Sequence, residues 1–192
     1  MIAFVSGGAR SGKSQVAETL AREWHRRHGG RRYYLATAMA SDAEMAARIA
    51  RHRRERGDGW ITLEAPVALD EALAGVEAGS TVLLDCLTLW ASQWLYGSGL
   101  PEAEGGRMLS ALLDKARLKT IGLVVVSNDL NEDLPPRDPA VWHYLAFLQR
   151  RHRQLAREAD RVIEVIAGYP IEWKTSLKNS GKIAWENPWE GT

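Results

Sequence analysis

The sequence predicts an α/β domain with a mostly parallel sheet flanked by helices, and three observations support this fold class. Short segments rich in Val, Ile and Leu alternate with longer segments whose apolar residues recur every three or four positions, as expected for strands alternating with helices. The segment IGLVVVS at residues 121–127 is almost continuously apolar, which is typical of a buried strand in a parallel sheet. A glycine-rich turn joins the first strand directly to the first helix, as in parallel crossover units.

The pattern gives the elements in order. The predicted strands are at residues 1–6, 33–38, 60–64, 80–84, 121–127 and 161–167. The predicted helices are at residues 15–28, 41–56, 66–78, 86–96, 107–117 and 141–159. Ser41 and Glu44 form a capping box for the second helix, and residues 97–106 and 128–139 are predicted loops. We expect a single α/β domain over residues 1–174, followed by a C-terminal tail at residues 175–192.

Composition limits the class of protein. The chain has 192 residues, a formal net charge of +1 and a single cysteine. This length fits one domain, and the charge balance gives no field that favours nucleic acid or a membrane surface. One cysteine excludes an internal disulfide framework, and the sequence shows no signal peptide and no membrane-spanning run. We therefore expect a soluble cytoplasmic protein with neither nucleic acid nor membrane as partner.

The glycine-rich turn carries the strongest chemical signal. Residues 7–14 read GGARSGKS, a G-x-x-x-x-G-K-S motif between a strand and a helix, which is the context of a phosphate-binding P-loop. Glycines let backbone N–H groups converge on phosphate oxygens, and the helix N-terminus adds partial positive charge. The alternative is a glycine turn that happens to precede Lys-Ser. With this motif, the predicted fold class is a P-loop NTPase-like (RecA-like) domain. The predicted nucleotide-binding residues are Gly7, Gly8, Ala9, Arg10, Ser11, Gly12, Lys13 and Ser14.

Two of these residues and one downstream carboxylate predict a metal-nucleotide site. Lys13 can reach the β- and γ-phosphates, and the Ser14 hydroxyl can ligate Mg²⁺. The strand at residues 80–84 ends in Asp85, which resembles a Walker B element whose carboxylate holds the Mg²⁺ shell. The alternative is that Asp85 caps the helix that follows it.

The second predicted helix carries a histidine among arginines. Met45, Ile49 and His52 are spaced i, i+4 and i+7, so they share one face. A histidine can attack phosphorus as a nucleophile, and neighbouring arginines can stabilise phosphate charge. The residues alone favour the plainer interpretation, in which His52 is an interfacial side chain among solvated arginines.

Taken together, the motifs resemble those of the bifunctional adenosylcobinamide kinase/adenosylcobinamide-phosphate guanylyltransferase family of cobalamin biosynthesis. The resemblance covers nearly the whole chain, and the combination of motifs is specific although each alone is weak. Besides the P-loop, the matching segments are YLATA at residues 34–38, D-x-E-M-x-x-R-I-x-x-H at residues 42–52, W-x-T-x-E at residues 60–64, LLDCLTLW at residues 83–90, VVVSN at residues 124–128, and AD-x-V with AG-x-P-I and Lys at residues 159–174.

The resemblance implies two reactions, with ATP, GTP and adenosylcobinamide as substrates and Mg²⁺ as cofactor. A hydroxyl of adenosylcobinamide takes the γ-phosphoryl group of ATP or GTP. His52 then attacks the α-phosphorus of GTP, and the GMP passes from the histidine to adenosylcobinamide phosphate. His52 and Lys13 are accordingly the implied catalytic residues, and Ser14 and Asp85 the metal ligands. Family members are trimers, so a homotrimer is expected.

Further nucleotide contacts are implied by the resemblance alone. From its position, Glu64 would otherwise be an ordinary carboxylate at the end of a strand. The residues carried over are Ala36, Thr37, Ala38, Arg53, Arg54, Glu55, Arg56, Glu64 and Asp85.

The chain departs from the family pattern after Asn128. DLNEDLPP at residues 129–136 replaces Glu-Val-Gly-x-Gly-Ile-Val-Pro, so two glycines that permit a special backbone turn are missing. The family's R-x-F-R-D and G-x-x-N-Q patterns fall on residues 142–146 and 149–153, and neither survives. Two alternatives therefore stay open: a P-loop kinase of another small molecule in which His52 is a bystander, and a nucleotide-binding protein without turnover.

Overall fold

One sheet of seven strands organises the structure, a computed structural model that describes residues 1–39, 43–130 and 137–175. The strands are β1 (Ile2–Gly7), β2 (Arg32–Ala36), β3 (Trp60–Glu64), β4 (Thr81–Asp85), β5 (Gly122–Asn128), β6 (Arg161–Ile166) and β7 (Tyr169–Thr175). The helices are α1 (Lys13–His28), α2 (Ala43–Arg56), α3 (Leu69–Ala72), α4 (Leu87–Tyr96), α5 (Glu102–Leu118) and α6 (Pro139–Glu158).

The strand order is β3-β2-β4-β5-β1-β6-β7. All neighbouring strands pair in parallel except β6 and β7, which are antiparallel. The predicted fold class is therefore confirmed. β5 is the fourth strand of the seven and buried along nearly its whole length, in agreement with its continuous apolar sequence.

Two apolar cores cover the two faces of this sheet. On β1, Ala3 and Val5 belong to one core with the buried residues of α1, whereas Ile2 and Phe4 belong to the other. The second core is the larger and takes in buried residues of α3, α4, α5 and α6. Alternate residues of one strand serve opposite cores because strand side chains alternate between the two faces of a sheet.

The predicted helix at residues 66–78 is wrong in length, because α3 spans only Leu69–Ala72. The ammonium group of Lys119 explains the early end. Its Nζ donates to the carbonyl oxygens of Leu73, Ala74 and Val76 at 2.9, 2.7 and 2.9 Å. Carbonyl groups that a longer helix would pair internally are thus bound by a side chain 43 to 46 positions away. Gly75, a poor helix former, lies within the same turn.

The predicted loop at residues 97–106 is wrong at its C-terminal end, because α5 already begins at Glu102. The helix therefore includes Gly105 and Gly106, which the composition placed in a loop. An added Cβ at Gly105 would lie 2.7 Å from Phe147 Cζ and 3.0 Å from Trp94 Nε1. The glycine lets α5 pack closely against α4 and α6, which the local sequence does not indicate.

Residues 169–175 form β7, a strand that the sequence pattern did not predict. β7 is an exposed edge strand, so its sequence shows little of the alternation between apolar and polar residues that marks a half-buried strand. Pairing with β6 and an ion pair hold it, because Arg161 Nε and Nη2 donate to the two carboxylate oxygens of Glu172 at 2.7 and 3.1 Å. Pro170 is tolerated because an edge strand needs no partner for every backbone position.

The other predicted strands and helices are confirmed with shifts of a few residues at their ends. Ser41 of the predicted capping box, residues 131–136 of the altered segment and the tail from residue 176 lie outside the described residues. The division between domain and tail stays a prediction. Within the described ranges, no helix combines the length and apolar character needed to cross a bilayer.

Replacing Gly105 by alanine tests the close helix packing. Alanine favours a helix over glycine by about 1 kcal/mol, but overpacking typically costs about 1–3 kcal/mol. We expect Gly105→Ala to lower the free energy of unfolding by about 1 kcal/mol in urea titration. The control is Gly75→Ala, where the added Cβ meets no atom within 4 Å. Equal stability of the two variants would contradict the packing role of Gly105.

Candidate active site

The turn between β1 and α1 forms a phosphate cradle. Gly12 precedes the helix with φ at +89°, a conformation that glycine adopts without strain. Gly7 makes a close approach, because an added Cβ would lie 2.4 Å from the Val165 carbonyl oxygen. Lys13 is buried, and its Nζ donates to the Gly8 carbonyl oxygen at 3.0 Å across the loop. These contacts give the loop the shape that the G-x-x-x-x-G-K-S motif predicts.

Neighbouring segments fix this loop from two sides. The Asp129 N–H group donates to the Gly7 carbonyl oxygen at 2.9 Å, which ties the end of β5 to the start of the loop. The Gly168 N–H group donates to the Ser11 carbonyl oxygen at 2.9 Å, which ties the β6–β7 turn to its centre. The backbone N–H groups are thus positioned before a ligand arrives.

The electrostatics of the cradle favour an anion. The first turn of α1 has no acidic residue, so the partial positive charge of the helix N-terminus is not neutralised. Burial lowers the pKa of Lys13, and the nearby Cys86 thiol and Asp85 carboxylate oppose that shift. A buried ammonium group gains more from a phosphate partner than an exposed one, because water does not compete for it.

Asp85 faces the P-loop side of the sheet rather than the helix after it. The Tyr34 hydroxyl donates to Asp85 Oδ2 at 2.9 Å. The N-cap residue of α4 is Cys86, and no side chain caps that helix. The alternative that Asp85 is the helix cap is therefore wrong, and the carboxylate is available near Lys13.

Parallel register brings several predicted residues to one edge of the sheet. Ala36 is paired with Glu64 on β3 and with Asp85 on β4, and Gly7 of β1 is paired with Asn128 of β5. The carboxyl ends of these strands therefore form a continuous rim next to the P-loop. Glu64 is exposed on this rim.

The predicted contact at residues 36–38 has a structural role of its own. The Thr37 side chain is buried, and its hydroxyl accepts from the Cys86 N–H group at 2.9 Å and donates to the Cys86 carbonyl oxygen at 2.8 Å. It thereby braces the backbone directly after Asp85. A nucleotide contact from this segment remains a prediction. Because the Thr37 hydroxyl is already bonded to Cys86, the backbone or the side chains of Ala36 and Ala38 would make that contact.

Helix α2 presents the predicted histidine on its inward face. Met45, Ile49 and His52 are half-buried, which confirms that they share one face, and Arg56 extends this face by one turn and is buried. Arg53 and Arg54 are exposed, and the side chain of Glu55 lies outside the described part of the chain. Of the three arginines implied as nucleotide contacts, the structure thus buries Arg56 and exposes Arg53 and Arg54.

Sequence reasoning missed a buried polar chain beneath the rim. The Ser127 hydroxyl lies 2.7 Å from His152 Nε2 and 3.1 Å from the Thr88 hydroxyl, and the Asn128 N–H group donates to Thr88 at 2.8 Å. This chain joins α6, β5 and α4 just before the Asp129 contact with the P-loop. His152 lies within residues 149–153, where the family's G-x-x-N-Q pattern is missing. That difference from the family was the feature of the sequence that could have drawn attention to His152.

The oxygen donors fit a magnesium ion bound with a nucleotide. Asp85 offers a carboxylate and Ser14 a hydroxyl at the start of α1, and both are hard ligands. No group of three or more His, Cys, Asp or Glu side chains that could hold a metal alone occurs in the described ranges. Mg²⁺ keeps several waters and binds phosphate oxygens alongside one or two carboxylates, so one aspartate and one hydroxyl are donors of the right kind.

Comparison with known proteins gives a family match over most of the chain. Residues 3–173 match the family model described as cobinamide kinase / cobinamide phosphate guanyltransferase. The bifunctional adenosylcobalamin biosynthesis protein CobP of Pseudomonas aeruginosa is 38% identical over 172 residues, covering 89% of this chain and 96% of that protein. The corresponding protein CobU of Escherichia coli is 30% identical over 186 residues, covering 91% and 100%.

Solved structures support the fold at low sequence identity. The flagellar accessory protein FlaH of Methanocaldococcus jannaschii has a TM-score of 0.50 at 11% identity, over 91% of this chain and 78% of that one. The KaiC-like protein PH0186 of Pyrococcus horikoshii has the same TM-score, identity and coverage. A solved ATPase domain has a TM-score of 0.54 at 13% identity, over 91% and 77%. These similarities show the RecA-like P-loop architecture and nothing finer.

The buried histidine predicts a pH dependence of stability. Burial lowers the pKa of His152 from 6.5 to about 4, and Asp129 opposes the shift. Between these values the unfolded chain binds a proton that the folded chain does not, so His152 reduces stability as the pH falls through this window. We expect its contribution to approach about 1.4 kcal/mol per pH unit. In urea titrations between pH 7 and 4, the free energy of unfolding of His152→Asn should fall less steeply with decreasing pH than that of wild type. Equal pH slopes in the two proteins would contradict this assignment.

Proposed function

The chain belongs to the cobinamide kinase / cobinamide phosphate guanyltransferase family, and we propose that its P-loop and its His52 helix carry the two reactions of that family. It is an enzyme of adenosylcobalamin biosynthesis, with ATP and GTP as nucleotide substrates. The observation that supports the assignment of residues is the rim of the sheet. It brings the Lys13 cradle, the Asp85 carboxylate and the end of the helix bearing His52 around one edge.

In the kinase reaction, the hydroxyl oxygen of the cobinamide side arm attacks the γ-phosphorus of the nucleoside triphosphate. The bond between that phosphorus and the β–γ bridging oxygen breaks, the nucleoside diphosphate leaves, and the hydroxyl proton is released. Lys13 and the backbone N–H groups of the loop stabilise the charge on the β- and γ-phosphates. The fixed loop contributes mainly by positioning, which suits the loose transition state of phosphoryl transfer.

In the guanylyltransferase reaction, a ring nitrogen of His52 attacks the α-phosphorus of GTP. A P–N bond forms, the α–β bridging P–O bond breaks, and pyrophosphate leaves. A phosphate oxygen of adenosylcobinamide phosphate then attacks the same phosphorus, so the P–N bond breaks and adenosylcobinamide-GDP forms. The covalent route divides one difficult transfer into two easier ones.

Side chains around the rim supply binding and charge for both reactions. Ser14 and Asp85 would hold Mg²⁺, which neutralises triphosphate charge when bound. The exposed guanidinium groups of Arg53 and Arg54 lie next to His52 in the sequence and would bind phosphate oxygens. Glu64 would contact the nucleotide from the neighbouring strand end.

Assembly and location follow from the same proposal. A homotrimer would account for an exposed apolar edge, because Tyr169 and Trp173 on β7 are 62% and 69% exposed and such surfaces often mark interfaces. The cytoplasm would supply nucleoside triphosphates and keep the single thiol of Cys86 reduced.

The covalent intermediate is tested by intact-protein mass spectrometry. Wild-type protein incubated with Mg²⁺ and GTP, without acceptor, should gain the mass of one GMP group. His52→Ala should gain none, while its GTP affinity stays within about twofold because the cradle is unchanged. The absence of an adduct on a wild-type protein that binds GTP would favour a plain kinase or a non-catalytic binder.

Replacing Lys13 by alanine tests the shared cradle. We expect both kinase turnover and GMP-adduct formation to fall by at least about 100-fold, because a charge-assisted phosphate contact is lost. The melting temperature serves as the control for folding. Adduct formation at the wild-type rate would exclude the P-loop from the guanylyltransferase step.

A further inference from the structure

Arg56 is a buried cation without a complete set of hydrogen-bond acceptors. Arg56 is only 5% exposed. Its Nε and Nη1 atoms are buried and donate to no acceptor among the described residues. The guanidinium carbon instead lies 3.1 Å from the centroid of the Tyr34 ring. A guanidinium group held over an aromatic face is a stabilising cation–π contact, and it is stronger when water is excluded.

The same tyrosine holds the predicted metal ligand. Tyr34 donates its hydroxyl hydrogen to Asp85 Oδ2 at 2.9 Å. Tyr34 is buried, so water does not compete strongly for this hydrogen bond. Tyr34 therefore contacts Arg56 through its ring and Asp85 through its hydroxyl.

Strand register selects this tyrosine over its neighbour. Tyr34 is paired with Leu83, and Ala36 with Asp85, so Tyr34 and Asp85 are diagonal neighbours on the same face of two paired strands. Tyr33 points to the opposite face and belongs to the other core. Only one of two adjacent tyrosines can reach the carboxylate.

The backbone of α2 is held at the same point. Arg22 of α1 donates from Nη2 to the Arg56 carbonyl oxygen at 2.5 Å. Burial lowers the pKa of Arg56, while Tyr34, Glu18 and Asp85 oppose the shift. The last turn of α2 is thus attached to α1, the P-loop helix, through Arg22 and to strand β2 through Tyr34.

His52 lies one helical turn before this attachment. Residues four positions apart on a helix are neighbours on one face, and both His52 and Arg56 point inward. A shift of Arg56 would therefore move His52 with it. The exposed Arg51 lies on the same helix but outside this contact.

We propose that Tyr34 and Arg56 are positioning residues, with the Tyr34 hydroxyl orienting Asp85 and the stacked Arg56 guanidinium linking the His52 helix to that carboxylate. The metal-nucleotide site and the guanylylation helix then share one mechanical support. Tyr34 does not touch substrate in this role and acts through Asp85. This inference rests on the proposed function, since it assigns Asp85 to the Mg²⁺ site and His52 to GMP transfer.

The first test measures Mg²⁺-dependent GTP binding, which needs no turnover. A fluorescent GTP analogue is titrated with Mg²⁺ in wild type, Tyr34→Phe and the control Tyr33→Phe. We expect Tyr34→Phe to raise the half-saturating Mg²⁺ concentration by about tenfold, as for other residues that orient a metal ligand. Binding in EDTA and the melting temperature should change little, and Tyr33→Phe should match wild type.

The second test asks whether Arg56 acts through Tyr34. Arg56→Met should also raise the Mg²⁺ midpoint, whereas Arg51→Met should not. If the two residues form one unit, the double variant Tyr34→Phe/Arg56→Met should shift the midpoint by less than the product of the single shifts. Arg56→Met should in addition slow GMP-adduct formation at saturating GTP and Mg²⁺ by about tenfold, because His52 loses its position.

The outcomes separate this inference from the proposed function. An unchanged Mg²⁺ midpoint in folded Tyr34→Phe, or an equal shift in Tyr33→Phe, would overturn the role of Tyr34. Independent, fully multiplicative shifts would overturn the link through Arg56 and leave it as a separate nucleotide contact. A wild-type protein without Mg²⁺-dependent GTP binding or without an adduct would instead overturn the proposed function itself.

Discussion

Parallel pairing of β2, β4, β5 and β1 is the constraint on which the site depends. Strands that run the same way must be returned by crossover segments, so their carboxyl ends collect at one edge of the sheet. In this chain that edge holds Asp85, Asn128 and the P-loop glycine Gly7 within three adjacent strands. Open parallel sheets place ligands beyond the carboxyl ends of their strands for the same reason.

Short polar side chains make this edge rigid. The Thr37 hydroxyl bonds both the N–H group and the carbonyl oxygen of Cys86. The hydrogen bond between the Thr88 and Ser127 hydroxyls connects α4 to β5. Each of these hydroxyls is buried, so leaving any of them without a partner would cost about 1–3 kcal/mol. The polar groups therefore specify one arrangement of the strand ends. Phosphate binding gains from this rigidity, because the backbone donors need not reorganise when charge develops.

Local patterns in the sequence were sufficient for six of the seven strands, the P-loop and the inward face of α2. They failed where a distant residue decides the local conformation. Lys119, more than 40 positions away in sequence, binds the carbonyl groups after α3 and so limits its length. Phe147 packs where a larger residue than Gly105 would clash. Arg161 pairs with Glu172 and holds β7, a strand with weak apolar alternation. The contact between Tyr34 and Asp85 spans 51 positions, and the sequence alone gives no register from which to derive it.

Two reactions at different phosphorus atoms of a nucleotide require different geometry from one small domain. The cradle around Lys13 is fixed by contacts from β5 and the β6–β7 turn, and this suits transfer of a terminal phosphoryl group. In the proposed guanylyl transfer, the His52 nitrogen would instead have to reach the α-phosphorus. Its helix, α2, lies between β2 and β3 in chain order. A helix in that position keeps its register with the cradle through contacts with α1 and with the strands. Arg22 of α1 binds the Arg56 carbonyl oxygen, and the Arg56 side chain, buried over Tyr34, provides a contact with β2.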